Sequence, residues 1–197
     1  MNRFTYKTLM NTKYTHLITL LLFLVFAASC SNAKKFKIAK GQVGEISKKT
    51  MVQDLGKIFA KDSLVKNLSE GSMGDDYFQD DDEYMVYDTE GKLLLTIMPK
   101  DQHDSTSTIK SIQIHDSRFA TETGLNLDSR FVDINANNRI NRVESTLKSA
   151  TLFIDELNAT IVIDKEELGL QEYSTQKVSL DQIPDLARIK SFIIWFQ

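Results

Sequence analysis

Cysteine, proline and glycine are all scarce in this chain of 197 residues, at one, two and eight copies. A single cysteine, Cys30, excludes an intramolecular disulfide framework and any zinc cluster built on thiolates. So little glycine and proline excludes collagen-like repeats and low-complexity linkers. No sign of charge dominates: 24 basic residues face 27 acidic ones, a formal net charge of −3. That balance gives no footprint for a nucleic-acid surface. No G-x-S-x-G elbow, P-loop, G-x-G-x-x-G or H-E-x-x-H is present. What remains is an ordinary globular composition, 42% hydrophobic and 26% charged, enough for one domain or two small halves sharing a core.

The amino-terminal segment reads as an address. Residues 1–16 carry Arg3, Lys7 and Lys13 and no acid, and Leu17–Ala28 is free of charge. As a helix that run spans about 18 Å, against about 30 Å of bilayer hydrocarbon. A basic region, a short apolar run and the small residues Ala27, Ala28 and Ser29 predict a secretory signal over residues 1–29. With Cys30 following, the segment resembles the lipobox of bacterial lipoproteins, in which that cysteine is acylated and becomes the first residue. The usual leucine three before the cysteine is replaced by Ala27. The alternative is ordinary cleavage with Cys30 left as a free thiol. Acyl chains give stable membrane anchoring, since each buried methylene contributes about 0.8 kcal/mol. Residue 31 is serine, which by resemblance to the enterobacterial sorting rule implies the outer membrane. Residues 30–40 form a tether carrying Lys34, Lys35, Lys37 and Lys40, either a solvated spacer or a contact for anionic headgroups.

Residues 41–197 read as a single α+β domain built from one pattern used twice, over 41–115 and 124–197. In the first half Thr50 is a candidate N-cap before Val52, Leu55, Ile58 and Phe59, which share a helical face. Strands are predicted at Leu64–Leu68, Tyr84–Tyr87, Leu93–Met98 and Ile109–His115, with Gly91 turning the middle hairpin. In the second half Ser129 is the candidate N-cap before Phe131, Val132 and Ile134. Strands follow at Arg142–Leu147, Leu152–Ile154, Ala159–Ile163 and Ile189–Phe196. Asn158 falls where Gly91 falls, and both tolerate positive φ. Ile109-Lys110-Ser111-Ile112-Gln113-Ile114 also matches Ile189-Lys190-Ser191-Phe192-Ile193-Ile194 at a spacing of 80. Chance likeness between short amphipathic segments is the competing explanation, and the shared order of elements argues against it. The expected fold is a two-layer one, an antiparallel sheet with helices on one face. Such duplicated units resemble the β-lactamase-inhibitor-protein architecture, a likeness of fold that implies no function.

Several segments together resemble the sigma-E-regulated lipoprotein family of enteric bacteria. They are Gly41-Gln42-Val43-Gly44-Glu45-Ile46, Ile114–Ser117 leading to Thr121–Gly124, Ser129–Asp133, and Ile193-Ile194-Trp195. The resemblance implies an envelope location and supplies no catalytic residue. Asp75–Glu83 and Lys165–Leu180 depart from it.

Chemistry-bearing residues are few. His103 and His115 lie on either side of the strand predicted from Ile109, about 17–20 Å long, so a shared metal is not expected. Asp75–Glu83 is dense in carboxylates that bind Ca²⁺ weakly at best, with no EF-hand spacing; a solvated, self-repelling loop is the simpler expectation. The loop Asp116–Asn126 joins the halves as a polar linker or a binding surface. Alternation places Ile193 and Trp195 on the face of the last strand opposite Phe192 and Ile194. There they either form a partner site, since exposed aromatics mark interfaces, or are buried under Lys165–Leu180. The expectation is a non-enzymatic, lipid-anchored envelope protein without cofactor, catalytic residues or resident metal. Its partner would be an envelope protein or a second copy, bound at Ile193 and Trp195. The alternative is a ligand- or Ca²⁺-binding lipoprotein using residues 75–83.

Overall fold

The computed structural model describes residues 34–68, 81–171 and 173–196. The signal segment, Cys30 and most of the acidic stretch 75–83 therefore lie outside the described residues. Phe36–Gln197 forms one compact unit, distinct from Met1–Lys35, and among the described residues no helix is long and apolar enough to cross a membrane.

The chain opens with three two-residue strands, β1 (Ile38–Ala39), β2 (Gln42–Val43) and β3 (Ile46–Ser47), a meander that alternation did not predict. Its turns use Gly41 at φ 64° and Gly44 at φ 57°, a conformation that costs a side-chain-bearing residue about 1–2 kcal/mol. A 3₁₀ turn, Val52–Asp54, runs into α1 (Leu55–Ile58). Then come β4 (Ser63–Asn67), β5 (Glu83–Tyr87), β6 (Leu93–Pro99) and β7 (Ile109–Ile114). The second half supplies α2 (Phe131–Asn137), β8 (Arg142–Ser145), β9 (Ser149–Ile154), β10 (Ala159–Asp164) and β11 (Ser191–Trp195). The α+β expectation holds, with α1 and α2 among the described residues only four and seven residues long.

Strands β4 to β11 make one antiparallel sheet in the order β4-β5-β6-β7-β11-β10-β9-β8. The last strand of each half therefore meets its counterpart at the centre. There Ile114 pairs with Phe192, Gln113 with Ile193 and Ile112 with Ile194. Given the spacing of 80, this register is self-complementary: exchanging the halves returns the same pairs about a local two-fold at Gln113 and Ile193.

Cross-strand neighbours fall into rows. Val86, Leu95, Ile114, Phe192, Ile161 and Leu152 form one continuous row, and Tyr84, Ile97, Ile112, Ile194, Ala159 and Ile154 form the next. All twelve are buried and share a core with Val52 and Leu55 from the first helical segment, Phe131 and Ile134 from α2, and Ile38, Val43 and Ile46 from the meander. Each large side chain so buried contributes about 1.5–3 kcal/mol. The opposite face carries the row Met85, Thr96, Gln113, Ile193, Thr160 and Phe153.

The repeat extends to individual hydrogen bonds. Thr50 Oγ1 accepts from the Ser47 N–H at 3.0 Å, and Ser129 Oγ accepts from the Asn126 N–H at 3.1 Å. Both hydroxyls close the turn before the helix, so the N-caps are Met51 and Arg130, one residue later than the sequence suggests. No side-chain cap is needed because backbone carbonyls satisfy the first helical N–H groups. Val52 and Gln53 donate to Ser107 and Ser105, while Phe131 and Val132 donate to Ala187 and Asp185, at 2.9–3.0 Å. The hairpin turns also correspond. Gly91 donates to Asp88 with φ 81°, and Asn158 donates to Asp155 with φ 49°.

Candidate functional site

Ile193 and Trp195 lie on the face without helices, and both are only partly buried. The segment predicted to cover them goes elsewhere. Lys165 is buried, and its ammonium donates to the carbonyls of Ser174 and Gln176. Val178 donates to Ser145 Oγ at 2.8 Å and, with Ile183, joins the core.

Beside Trp195 is a cleft of about 330 Å³, formed where β8, β10 and the β9–β10 hairpin meet β11. Its walls include Arg142, Phe153, Asp155, Asn158, Thr160 and Trp195. Register explains the assembly: Arg142 pairs with Phe153, Phe153 with Thr160 and Thr160 with Ile193. All four side chains therefore stand in one row on one face. The Trp195 indole N–H donates to Thr160 Oγ1 at 3.1 Å, which fixes the ring plane. The Arg142 guanidinium lies 4.0 Å from the centroid of the Phe153 ring, a cation–π contact, and one of its nitrogens is 3.2 Å from Glu144. Asn158 is held at positive φ by the turn, and its carbonyl accepts from the Trp195 N–H at 2.7 Å. The lining contains one carboxylate and no histidine or cysteine. That set offers donors, acceptors and apolar surface.

The other singled-out residues do not join this cleft. His115 Nε2 is 2.9 Å from Thr96 Oγ1; burial holds its pKa below the ordinary value, opposed by the nearby Glu83. His103 sits at φ 57°, with its N–H 2.6 Å from Asp82 Oδ2. Asp82 corrects the picture of a wholly solvated acidic loop. It is fully buried, its N–H donates to Gln102 Oε1, and Gln102 in turn reaches Asp81 at 3.0 Å. No cluster of three or more metal-ligating side chains occurs among the described residues.

In the linker, Asp116 is buried and bound by Arg118 Nε at 2.8 Å and Lys92 Nζ at 2.7 Å. Burial alone raises its pKa, but these cations outweigh that and hold it well below the carboxylate range. Arg118 also reaches Asp88 at 2.8 Å. Thr121 Oγ1 accepts from the Leu125 N–H at 3.0 Å. These contacts lock the linker as structure. Sequence reasoning singled out Ile193 and Trp195 and passed over Arg142, Phe153, Asp155 and Thr160, which the fold places in the cleft beside Trp195. Strand register brings Arg142, Phe153 and Thr160 together, and the β9–β10 turn adds Asp155.

No family model and no curated protein matches the chain. Among solved structures it is similar to the uncharacterized protein yfeY from Escherichia coli, with a TM-score of 0.52 and 15% identity over 81% of this chain and 99% of that one. At that identity the likeness is one of fold, and this chain adopts the fold of that uncharacterized protein.

Proposed function

We propose that the protein is a non-enzymatic binding protein of the cell envelope, tethered to the outer membrane by acyl chains on Cys30. Its uncovered sheet face around Ile193 and Trp195 holds another envelope component. The observation that carries this reading is a partly exposed tryptophan and isoleucine beside a cleft, on a sheet face that no helix covers among the described residues. Large apolar side chains left on such a face usually mark a contact surface. The absence of a histidine, cysteine or second carboxylate from the cleft lining favours binding over turnover.

We further infer kinship with the sigma-E-regulated lipoproteins. The segments that carry the resemblance occupy defined structural roles: Gly41–Ile46 is the meander, Ser129–Asp133 enters α2, and Ile193–Trp195 lies at the sheet centre.

The test places a photo-crosslinking residue at position 193 in the native envelope, with the exposed position 57 on α1 as control. The expected result is a discrete adduct at 193 and none at 57. Equal labelling at both sites overturns the reading. Intact mass of the membrane-extracted protein tests the anchor: residues 1–29 absent and acyl mass on Cys30. Full membrane retention of a correctly processed Cys30→Ala variant overturns it.

A further inference from the structure

We propose that the cleft beside Trp195 binds a neutral saccharide, one or two pyranose rings of an envelope glycan or of a free sugar. The inference rests on the binding-face reading above and names the class of molecule held there. The cleft volume of about 330 Å³ is at the small end of ligand sites, which run about 300–1,000 Å³.

Charge narrows the ligand first. The lining carries one cation, Arg142, and one anion, Asp155, and Arg142 is already paired with Glu144. An anionic ligand would meet the Asp155 carboxylate and a guanidinium already engaged by Glu144, and a cationic one would meet that guanidinium. An entirely apolar ligand would cover Arg142, Asp155 and Asn158 without bonding them, at about 1–3 kcal/mol for each polar group left unmet. A peptide adding as a strand finds no free edge on β9, β10 or β11, which are paired on both sides; the open edge of β8 is the one turned away from Trp195.

A pyranose meets all of these conditions. One face of its ring presents C–H groups to an aromatic surface, and its edge presents hydroxyls that both donate and accept. Trp195 and Phe153 provide the apolar surface. Arg142 provides donors, Asp155 acceptors, Asn158 both, and the Thr160 hydroxyl accepts from the indole while keeping its own proton to donate. The indole is fixed in advance by its bond to Thr160, so little side-chain freedom is lost on binding.

The chain has a single tryptophan, Trp195, so fluorescence of the full-length protein excited at the red edge, where its tyrosines do not absorb, reads this cleft alone. The probes are cellobiose and N,N′-diacetylchitobiose, with glucose 6-phosphate and glucosamine as charged comparators. The expected result is a saturable change with at least one neutral disaccharide, at a dissociation constant of about 1 mM or tighter, and weaker response to the charged sugars. Asn158→Gly keeps the positive-φ turn and removes the amide; Asp155→Asn keeps the shape and removes the charge. Each is expected to weaken binding about tenfold, the size of one lost hydrogen bond to a charged or well-placed group, with an unchanged melting curve. Cosedimentation with purified peptidoglycan that Asn158→Gly abolishes assigns a polymer-bound sugar; binding of the soluble disaccharides alone assigns a free one. The proposal is overturned if no neutral sugar alters the fluorescence, if charged sugars bind more tightly, or if both variants bind as the parent does. Loss of sugar binding with the adduct at position 193 intact rejects the saccharide and leaves the binding face standing.

Discussion

The two halves of the sheet share a skeleton and differ on one surface. Across the uncovered face the row runs Val65, Met85, Thr96 and Gln113 in the first half, then Ile193, Thr160, Phe153 and Arg142 in the second. The two threonines occupy equivalent places and are equally buried. Each bonds a ring nitrogen two residues beyond the centre of the last strand, from His115 in one half and Trp195 in the other. Against this shared frame, the second half has Arg142 stacked on Phe153 and a cleft beside it, where the first half has Val65 and Met85. The two core rows of the covered face show no such divergence, because they must stay apolar and fill a common core. The freedom to differ, and with it the capacity to bind, lies on the face that packing does not dictate.

The comparison is tested most severely at the two-fold itself. Phe192 and Ile112 occupy equivalent core positions and are both fully buried. Phe192→Ala is expected to cost about 3–5 kcal/mol and Ile112→Ala about 2–5 kcal/mol, measured by urea unfolding. A loss under about 1 kcal/mol in either would mean that the halves do not share one cooperative core.

The next effect separates the halves. At the spacing of 80, Asp116 corresponds to Phe196: one buried position holds a carboxylate in the first half and a phenyl ring in the second. Asp116→Ala leaves Arg118 and Lys92, whose side chains are 47% and 60% exposed and can return to water. The expected loss is therefore about 1–3 kcal/mol, below the full penalty of a stranded buried charge. Because the folded pKa of Asp116 is depressed, its contribution is complete above the unfolded value of about 4 and is lost as pH falls below it. The parent should lose stability between about pH 5 and pH 2 more steeply than Asp116→Ala. Parallel pH profiles would remove Asp116 from the account of the linker.

These contrasts mark what the sequence can disclose. Alternation of apolar residues is local, so strands β4 to β11 and their turns at Gly91 and Asn158 were legible within a residue or two, apart from the start of β9, three residues before the predicted Leu152. The repeat was legible because the last strands of the two halves share Ile-Lys-Ser at their start and isoleucine at Ile114 and Ile194. The N-caps were not, since Thr50 and Ser129 have the chemistry of caps and their displacement depends on carbonyls supplied from more than fifty residues away, at Ser107 and Ala187. The meander of β1 to β3 escaped because two-residue strands have no period to detect. The cleft escaped for a related reason: Arg142, Phe153 and Thr160 belong to three strands, and only the pairing register puts them side by side.

Trp195 should cost little when removed. It is partly exposed, and its one side-chain hydrogen bond goes to Thr160. Trp195→Ala is expected to lower stability by about 1 kcal/mol while abolishing the adduct at position 193 and the saccharide response, the latter read by calorimetry because the fluorophore is gone. A loss of several kcal/mol, the range for an emptied aromatic site in a core, would make Trp195 a packing residue.

The smallest effect belongs to its counterpart. Burial lowers the folded pKa of His115, so the native state resists the proton that the unfolded chain takes up near pH 6.5. Stability from this residue is complete above that pH and falls as pH drops from about 6.5 towards the folded value. Because His115 is only partly buried, the loss should stay below about 1 kcal/mol. His115→Gln keeps a side chain able to bond Thr96 and removes the titration. Its urea midpoint should be flatter than the parent's between about pH 7 and pH 5. Trp195 does not titrate, so the second half should add no slope of its own, and its fluorescence should report a cleft unchanged across that range. An identical pH slope in the parent and in His115→Gln would show that the ring nitrogen facing Thr96 does not resist protonation, and the parallel between the two threonine-bound rings would reduce to geometry.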